Sequence, residues 1–365
     1  MSEPFTFRSD NNAGLCPEAL AALQEAASGH VIGYGDDMAT ASASRALRGL
    51  FGEDTSVYFV ATGTAANTLA VAALTEPWQR VLAHGHAHWS DDESTAPERM
   101  TLCRTTTIEP CGEPTRLTPA DLERALVGGR GDVHQPAPGV LTLSNTTEFG
   151  TVYAPEPLAE LCAVAHRHGF SVHVDGARFA NAVAATISAR GWAPAAACRA
   201  LSVDAGVDAL SFGGTKNGLA LGEAVLFFKP SEREQVARAA RRFPFLRKST
   251  GHLLSKHRFI SAPFAKCLEG GAWLRHADHA NRMAMRLAAG LEARGIAAAF
   301  PCEANGVFVD LPPEVDEGLR AQGHGYYPFA SPIGVVSRLM CSFDTPAEAV
   351  EGLLADIDGI LAATS

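Results

Sequence analysis

The sequence lacks long hydrophobic runs and clusters of positive charge. No stretch approaches the roughly 20 uninterrupted apolar residues that a membrane-spanning helix requires, and the opening MSEPFTFRSDNNAG contains no apolar core of a signal peptide. The 30 Lys and Arg residues are outnumbered by 40 Asp and Glu, which gives a formal net charge of −10. We therefore expect a cytoplasmic protein with no nucleic-acid partner and no membrane partner.

Cysteine is present but forms no motif. No two of the eight cysteines make a Cys-x-x-Cys pair, and a chain of 365 residues is too long to need disulfide cross-links. We interpret them as reduced thiols in the core and expect no zinc site built on them. They are Cys16, Cys103, Cys111, Cys162, Cys198, Cys267, Cys302 and Cys341.

Short apolar runs alternate with helical patterns from residue 56 to residue 228. The runs are bounded by Gly, Asp or Pro, which is typical of strands buried on both faces of a mostly parallel sheet. We therefore expect an α/β fold with helices on both faces of a central sheet. The predicted strands cover residues 56–61, 80–84, 101–108, 139–145, 171–175, 209–213 and 224–228. The predicted helices between them include 65–74, 119–126 and 157–168.

The length predicts about two domains, at roughly 150 residues per domain. Residues 1–30 are predicted to form an N-terminal arm, which joins the small domain or a partner subunit, and residues 31–250 a large domain. Residues 251–365 are predicted to contain a connector and a small C-terminal α+β domain. The elements predicted there are a helix over 277–293, strands over 306–311 and 337–343, and a final helix over 346–361.

Three predicted strands end in residues that could carry chemistry. Thr62-Gly63-Thr64 opens a helix, whose free N–H groups and positive dipole end suit a single phosphate; alternatively, Thr62 or Thr64 simply caps the helix. Asp175 ends a buried strand, where the alternative is a helix N-cap. Lys216 lies in a glycine-rich turn, where the alternative is a surface position.

Taken together, these three groups suit pyridoxal phosphate better than they suit a nucleotide. A lysine forms an imine with the cofactor aldehyde, a carboxylate keeps the pyridine nitrogen protonated, and a helix end holds the phosphate. The segment lacks both the G-K-[ST] of a P-loop and the repeated glycines of a dinucleotide fingerprint. The strand ends therefore predict a pyridoxal-phosphate site at one edge of the sheet.

Three histidines at the end of a predicted strand raise a different hypothesis. On a continuing strand, His84, His86 and His88 would lie on one face, as the ligands of a metal ion do. A metal-dependent protein that uses them without pyridoxal phosphate therefore stays open as an alternative. We expect no metal, since strand alternation often breaks at such a strand end.

Five motifs, in order along the chain, indicate a family. They are FRSDNNAG near the N-terminus, GYGDD at 33–37, ATGTAAN at 61–67, VDGARFANA around Asp175 and FGGTKNG around Lys216. In this order they resemble the L-threonine aldolases of the fold-type I pyridoxal-phosphate enzymes, and more closely the low-specificity L-threonine and L-phenylserine aldolase branch.

This resemblance implies an activity and an assembly. The activity is the reversible cleavage of L-threonine, L-allo-threonine or an L-phenylserine-type amino acid to glycine and an aldehyde, and the assembly is a homodimer or homotetramer. A β-eliminating lyase of the same fold is the alternative.

The resemblance also implies roles for residues around the cofactor. Lys216 is the Schiff-base lysine, Asp175 pairs with the pyridinium nitrogen, and His88 stacks on the ring. Gly63 and Thr64 contact the phosphate. Two further residues are implied near the cofactor: Arg178 beside its O3′ and the substrate carboxylate, and Tyr34 reaching in from the other subunit.

Substrate binding and proton transfer involve other positions. Arg338 matches the family arginine that binds the substrate carboxylate, which its bidentate guanidinium suits, with a surface arginine as the alternative; Ser9 is expected to assist. Thr147, in LSNTTEFG, stands where many relatives have a second active-site histidine. We therefore expect His88 to take the β-hydroxyl proton, with Glu148 or a water held by Thr147 as the alternative.

Overall fold

The computed structural model describes residues 5–364. The first four residues of the predicted arm and Ser365 lie outside the described residues. The large sheet consists of β1 Thr55–Val60, β2 Gln79–His84, β3 Arg104–Ile108, β4 Ala137–Ser144, β5 Ser171–Gly176, β6 Ala209–Gly213 and β7 Glu223–Phe228. The strands lie in the order β1-β7-β6-β5-β4-β2-β3.

All seven strands predicted from the sequence are present, and their bounds differ from the predicted ones by at most three residues. The largest difference is in β3, which begins at Arg104 rather than at residue 101. A helix, Ala96–Thr101, occupies the residues before it and ends at Leu102, whose φ is 57°. The strand can therefore start only after this left-handed residue.

The direction of the strands brings their functional ends to one edge. Strands β3, β2, β4, β5 and β6 are parallel. Strand β7 is antiparallel to β6 and also to β1. Because β7 is antiparallel to both neighbours, β1 runs in the same direction as β6. The carboxyl ends of β1, β5 and β6 therefore lie at the same edge.

The helices of the described residues pack on the two faces of this sheet or belong to the C-terminal part of the chain. They are α1 Pro17–Ala26, α2 Met38–Phe51, α3 Gly63–Leu74, α4 His88–Asp91, α5 Ala96–Thr101, α6 Pro119–Leu126, α7 Pro155–Arg167, α8 Phe179–Arg190, α9 Pro194–Ala200, α10 Glu234–Ser249, α11 Arg258–Glu269, α12 Ala272–Glu292, α13 Pro313–Ala321 and α14 Ala347–Thr364. None of them, over the residues described, is both long and apolar enough to cross a lipid bilayer.

Alternation along the buried strands divides the core into two apolar layers. On β7, Val225 and Phe227 pack with α3 and α10, while Leu226 and Phe228 pack on the opposite face with α2, α7, α8 and α11. Helix α3 is buried from Ala65 to Leu74, because it lies between the sheet and α10. Its position at the centre of one face places its first turn at the functional edge.

A second, three-stranded sheet lies in the C-terminal part. It consists of β8 Gly306–Val309, β9 Tyr327–Ser331 and β10 Gly334–Met340, in the order β8-β10-β9, with antiparallel pairing. Strand β8 was predicted over residues 306–311 and β10 over residues 337–343, whereas β9 was not predicted. Most of its residues are exposed or partly exposed, so the run lacks the apolar alternation that marks a half-buried strand.

The start of the predicted arm joins this second sheet. Phe7 is fully buried in the core formed by α12, α13, α14 and their strands. Its N–H donates to the carbonyl of Gly325 at 2.8 Å, and its carbonyl accepts from the N–H of Met340 at 2.7 Å. Further along the arm, α1 packs against α11. The arm therefore contacts both the small sheet and helix α11.

Candidate active site

Two adjoining cavities lie at the edge where β1, β5 and β6 end. The larger, of about 400 Å³, extends towards β9 and β10 of the small sheet, and the smaller, of about 320 Å³, lies at the start of α3. His88, Asp175 and Lys216 line both cavities. Such volumes are typical of small-molecule sites, and the shared residues make the two cavities one cleft.

The first turn of α3 lines the smaller cavity with Thr62, Gly63 and Thr64. Thr62 is the N-cap, and its Oγ1 accepts from the N–H of Ala65 at 3.3 Å, so the capping alternative is correct for this threonine. The other N–H groups of a first helical turn have no partner within the helix. They leave positive partial charge facing the cavity, which favours an anion.

Asp175, the penultimate residue of β5, is held by two hydrogen bonds. Its Oδ1 accepts from the N–H of Ala177 at 2.9 Å, and its Oδ2 accepts from the side-chain amide of Asn67 at 2.8 Å. Burial would raise the pKa of this carboxyl, but the charge of His88, the N–H of Ala177 and the charge of Lys216 hold it below its usual value. The N-cap alternative for Asp175 is wrong, because Arg178 occupies the N-cap of α8.

Lys216 lies in a single 3-10 turn, Thr215–Asn217, directly after β6. A β-carbon on Gly213 would overlap the backbone of Ala177, so this glycine lets the turn approach the end of β5. Removal from water, and then the charge of Arg178, lower the pKa of the Lys216 amine. The amine makes no hydrogen bond or ion pair with a described residue, and it faces the cleft rather than the surface.

His88, the first residue of α4, is oriented by buried Glu93. The two side chains meet at 3.0 Å between Nδ1 and Oε1, and the hydrogen bond from Nδ1 raises the pKa of His88. The side-chain amide of Asn67 also donates to Glu93 Oε1, at 2.8 Å. Because the same amide donates to Asp175, Asn67 links the two carboxyl groups that flank the cleft.

The alternative of three histidines in a row on one strand face is wrong, because the strand alternation breaks where sequence analysis expected it to break. Strand β2 ends at His84, and the chain turns before α4 begins at His88. The three rings contact three different partners: the Pro114 carbonyl at 3.0 Å for His84, Asp91 at 3.5 Å for His86, and Glu93 for His88. Among the described residues, His88 lies near Glu93 and Asp175 instead, so this alternative loses its geometric basis.

Arg178, which lines the larger cavity, forms an ion pair with Asp10. The guanidinium donates from Nε to Asp10 Oδ2 at 2.6 Å and from Nη2 to Oδ1 at 2.9 Å. Asn305 donates to Oδ2 at 3.1 Å, and Asp10 is only 2% exposed. Sequence analysis missed Asp10 as a site residue, although it lies inside the FRSDNNAG motif next to Ser9.

Arg338, on β10, faces the same cavity as a partly buried cation. Its guanidinium carbon lies 5.9 Å from the ring centre of Tyr327 and 5.4 Å from that of Phe329. Its Nε has no hydrogen-bond partner among the described residues, and partial burial followed by the charge of Arg178 lowers its pKa. The surface alternative is therefore wrong. Ser9 lines the same cavity, with its Oγ accepting from the N–H of Asn11 at 3.2 Å.

Two neighbouring residues on the loop after β4 also line the larger cavity. The hydroxyl of Thr147 lies 2.8 Å from that of Thr151. Glu148 Oε1 accepts from the Ser144 hydroxyl at 2.6 Å and from the His88 N–H at 2.8 Å. Burial raises the pKa of Glu148, so this carboxyl is positioned next to the backbone of the histidine.

Glu223 lies in the cleft, whereas Tyr34 does not. Glu223, which was not singled out, lines the smaller cavity at the start of β7, and burial raises its pKa to about 7. Tyr34 does not line either cavity of this chain; it is half exposed, with the Lys248 amine 4.7 Å from its ring centre. All the other residues predicted for the site lie in the cleft.

Comparison with known proteins gives the same family as the motifs. The family model described as Beta-eliminating lyase matches residues 6–313. The low specificity L-threonine aldolase of Pseudomonas aeruginosa is 45% identical over 365 residues, covering 98% of each chain. The low specificity L-threonine aldolase of a Pseudomonas species is 42% identical over 358 residues, again covering 98% of each.

A solved structure supports the fold along the whole chain. A threonine aldolase from Leishmania major superimposes with a TM-score of 0.87 at 28% identity, covering 98% of this chain and 100% of that chain. The present chain therefore belongs to the Beta-eliminating lyase family and, within it, to the L-threonine aldolases, with the fold of the type I pyridoxal-phosphate enzymes.

Proposed function

We propose that the protein is a pyridoxal-phosphate-dependent aldolase that reversibly cleaves an L-β-hydroxy-α-amino acid to glycine and an aldehyde. Candidate substrates are L-threonine, L-allo-threonine and aryl-serines such as L-phenylserine. The observation that carries the proposal is the cleft itself, in which the amine of Lys216 and the guanidinium of Arg338 both lack a hydrogen-bond or ion-pair partner among the described residues. One unpaired cation suits the cofactor and the other suits a substrate carboxylate.

The residues of the smaller cavity fit pyridoxal phosphate. The first-turn N–H groups at Gly63 and Thr64 suit its phosphate, the anionic Asp175 suits its ring nitrogen, and Lys216 offers an amine of lowered pKa for its aldehyde. When bound, pyridoxal phosphate supplies a ring that withdraws electrons from the bonds at the substrate Cα. Asp175 would keep the ring nitrogen protonated and so strengthen this withdrawal.

Two arginines face the larger cavity, but they are not equivalent. Two nitrogens of Arg178 are used by Asp10, whereas Arg338 has no anionic partner among the described residues. We therefore assign the substrate carboxylate to Arg338, with Ser9 beside it. Arg178 keeps a single free edge of its guanidinium for the cofactor O3′ and the substrate.

The geometry around His88 suits a base. Because Glu93 accepts a hydrogen bond from Nδ1–H, Nε2 of the neutral ring is left as an acceptor for the β-hydroxyl proton, directly or through one water. The alternative is Glu148, whose Oε1 already accepts two hydrogen bonds. We assign proton transfer to His88 and treat Glu148 as the competing candidate.

We also propose that the protein is a homo-oligomer in which Tyr34 contacts the site of a partner subunit. Its neighbours Ile32 and Met38 are 70% and 76% exposed, and exposed apolar groups of this kind favour contact with another protein surface. Tyr34 itself has a φ of 63°, a backbone conformation that is rare for residues other than glycine.

The products of L-threonine distinguish the proposed aldolase from a β-eliminating lyase. Protein loaded with pyridoxal phosphate is expected to release glycine and acetaldehyde in equal amounts, measured by chromatography and by an aldehyde assay. Lys216→Ala should abolish the reaction, while Lys266→Ala, on the outer side of α11, should not change it. An oxo acid and ammonia without glycine would contradict the proposal.

Replacing Arg338 tests the carboxylate site. Loss of a charged, bidentate contact typically costs about 2 to 5 kcal/mol when its partner stays buried, so Arg338→Ala should lower kcat/KM by roughly 100-fold or more. Arg338→Lys should recover only part of this, because it lacks the fork. The control is Arg282→Ala, an exposed arginine of α12. Steady-state kinetics unchanged in both Arg338 variants would remove Arg338 from the site.

The pH profile tests the role of His88. A base must be neutral to accept a proton, so activity should fall as the pH decreases through the pKa of His88. Because Glu93 raises this pKa, the midpoint of the fall should lie above about pH 6.5. His88→Phe should lower kcat by roughly 10² to 10⁴ and abolish this limb, while Glu93→Gln should move the limb to lower pH. A His88→Phe variant that keeps most activity and the acidic limb would show that the ring only stacks.

Glu148 provides the internal comparison for this experiment. If Glu148 is the base, Glu148→Gln should be slower than His88→Phe, and the assignment to His88 would then be wrong. If His88 is the base, Glu148→Gln should retain the acidic limb, because the titrating imidazole remains in place. Both variants are measured with the same substrate across the same pH range.

A further inference from the structure

A second cluster of metal-binding side chains lies outside the cleft, behind the Lys216 turn. Cys16 at the N-cap of α1, Glu18 in its first turn and His276 of α12 each offer one ligand atom, and these atoms lie within 4.8 Å of one another. The sulfur of Cys267, on α11, is 3.7 Å from the sulfur of Cys16. Helices α1 and α12 thus bring a thiol, an imidazole and a carboxylate together, and α11 places a second thiol beside the first.

Two atoms of this cluster are buried without a hydrogen-bond partner among the described residues. They are Glu18 Oε2 and His276 Nδ1. Glu18 Oε1 faces Arg275 at 3.4 Å, whereas Oε2 faces His276 Nε2 at 3.5 Å. The ring of Phe343 packs 5.2 Å from the ring of His276 and so restricts its orientation. Buried polar atoms are normally hydrogen-bonded; Oε2 has an ion-pair contact but no hydrogen bond, and a metal ion would give it and Nδ1 a closer partner.

Gly218 packs closely against the cysteine and the histidine. A β-carbon at this position would lie 2.9 Å from Cβ of Cys16, 3.2 Å from its sulfur and 3.5 Å from Nδ1 of His276, so the sulfur and Nδ1 lie on the same side of this glycine. The separation of the two sulfurs also fits a metal. Tetrahedral zinc with Zn–S bonds of about 2.3 Å holds its sulfurs about 3.8 Å apart, close to the 3.7 Å between Cys16 and Cys267.

We propose that Cys16, Glu18 and His276, with Cys267 as the fourth ligand, form a site for one divalent metal ion that prefers sulfur and nitrogen, such as zinc. Each neutral thiol loses its proton when it binds the metal. One metal ion therefore binds with the release of two protons. Thiolate, imidazole and carboxylate are all ligands that zinc binds, and four protein ligands would leave no position for a substrate.

The hydrogen bond between the two thiols lowers the pKa of Cys16 and raises that of Cys267. Metal ions bind cysteine as the thiolate, so both thiols must lose their protons on binding. A cysteine pair without the metal would instead serve as a dithiol that an oxidant such as hydrogen peroxide closes to a disulfide, but that chemistry gives no partner to Glu18 Oε2 or His276 Nδ1.

The site would stabilise a region next to the cleft. The N–H of Cys16 donates to the carbonyl of Gly218 at 2.8 Å, two residues after Lys216. Asn217, between them, donates to the carbonyl of Trp273 on α12 at 2.7 Å. A metal ion bound here would therefore tie α1, α11 and α12 together behind the lysine turn. A metal site here departs from the expectation of no zinc site on the cysteines, which rested on sequence spacing, because Cys16 and Cys267 are 251 positions apart.

Metal uptake by the cofactor-loaded protein tests the proposal. The protein is treated with a chelator and a phosphine reductant, and then titrated with zinc; we expect one zinc per chain and a higher melting temperature. X-ray absorption should show sulfur at about 2.3 Å from zinc. Cys16→Ser and His276→Gln should each weaken binding by roughly 100-fold, since loss of even an outer-shell partner costs about 10- to 100-fold.

The controls separate this cluster from other metal-binding groups. Cys111→Ser, at an exposed cysteine, should bind zinc as the unchanged protein does. Circular dichroism shows whether each variant is folded, and His276→Gln tests the site if Cys16→Ser is not. Zinc without sulfur neighbours would place the ion elsewhere, for example at His88, Glu93 and Asp175, and would overturn the proposal. So would no uptake by the reduced protein, or a Cys16–Cys267 disulfide as the only response.

Discussion

The site depends on one feature of the sheet, the antiparallel strand β7 between β1 and β6. Because β7 is antiparallel to both β1 and β6, these two strands run in the same direction, and β1 ends at the same edge as β5 and β6. The first turn of α3 therefore meets Asp175 and Lys216. The same pairing sets Glu223, the first residue of β7, opposite Val60 and Gly213 at that edge. Without β7 in this position, the anion-binding turn would lie away from the lysine.

The cations of the cleft differ in whether an anion faces them. Arg178 is paired with Asp10, and His88 makes a hydrogen bond with Glu93, since charges removed from water are costly unless paired. Lys216 and Arg338 have no such partner among the described residues. These two cations are the ones that the proposed function assigns to the cofactor aldehyde and the substrate carboxylate. Ligands would thus complete the pairing that the protein alone leaves open.

Sequence patterns predicted the features that follow local rules. Most of the seven strands of the large sheet are buried apolar runs, and Thr62, Asp175 and Lys216 lie at or just after the ends of three of them, so their convergence could be inferred from strand direction. Strand β9 was missed because most of its side chains are exposed. The expected break in strand alternation at the three histidines is confirmed, since β2 stops at His84. Asp10 with Arg178, and Cys16 with Cys267, are pairs that only the fold brings together, since 168 and 251 positions separate them.

The most direct test of this account is to identify the lysine that binds pyridoxal phosphate. The cofactor-loaded protein is reduced with borohydride, digested and examined by mass spectrometry for a pyridoxyl group. The sequence contains five lysines, and the account predicts modification of Lys216 alone, with loss of the yellow colour on reduction. Modification of Lys229, Lys248, Lys256 or Lys266 in its place, or a protein that takes up no cofactor, would contradict it.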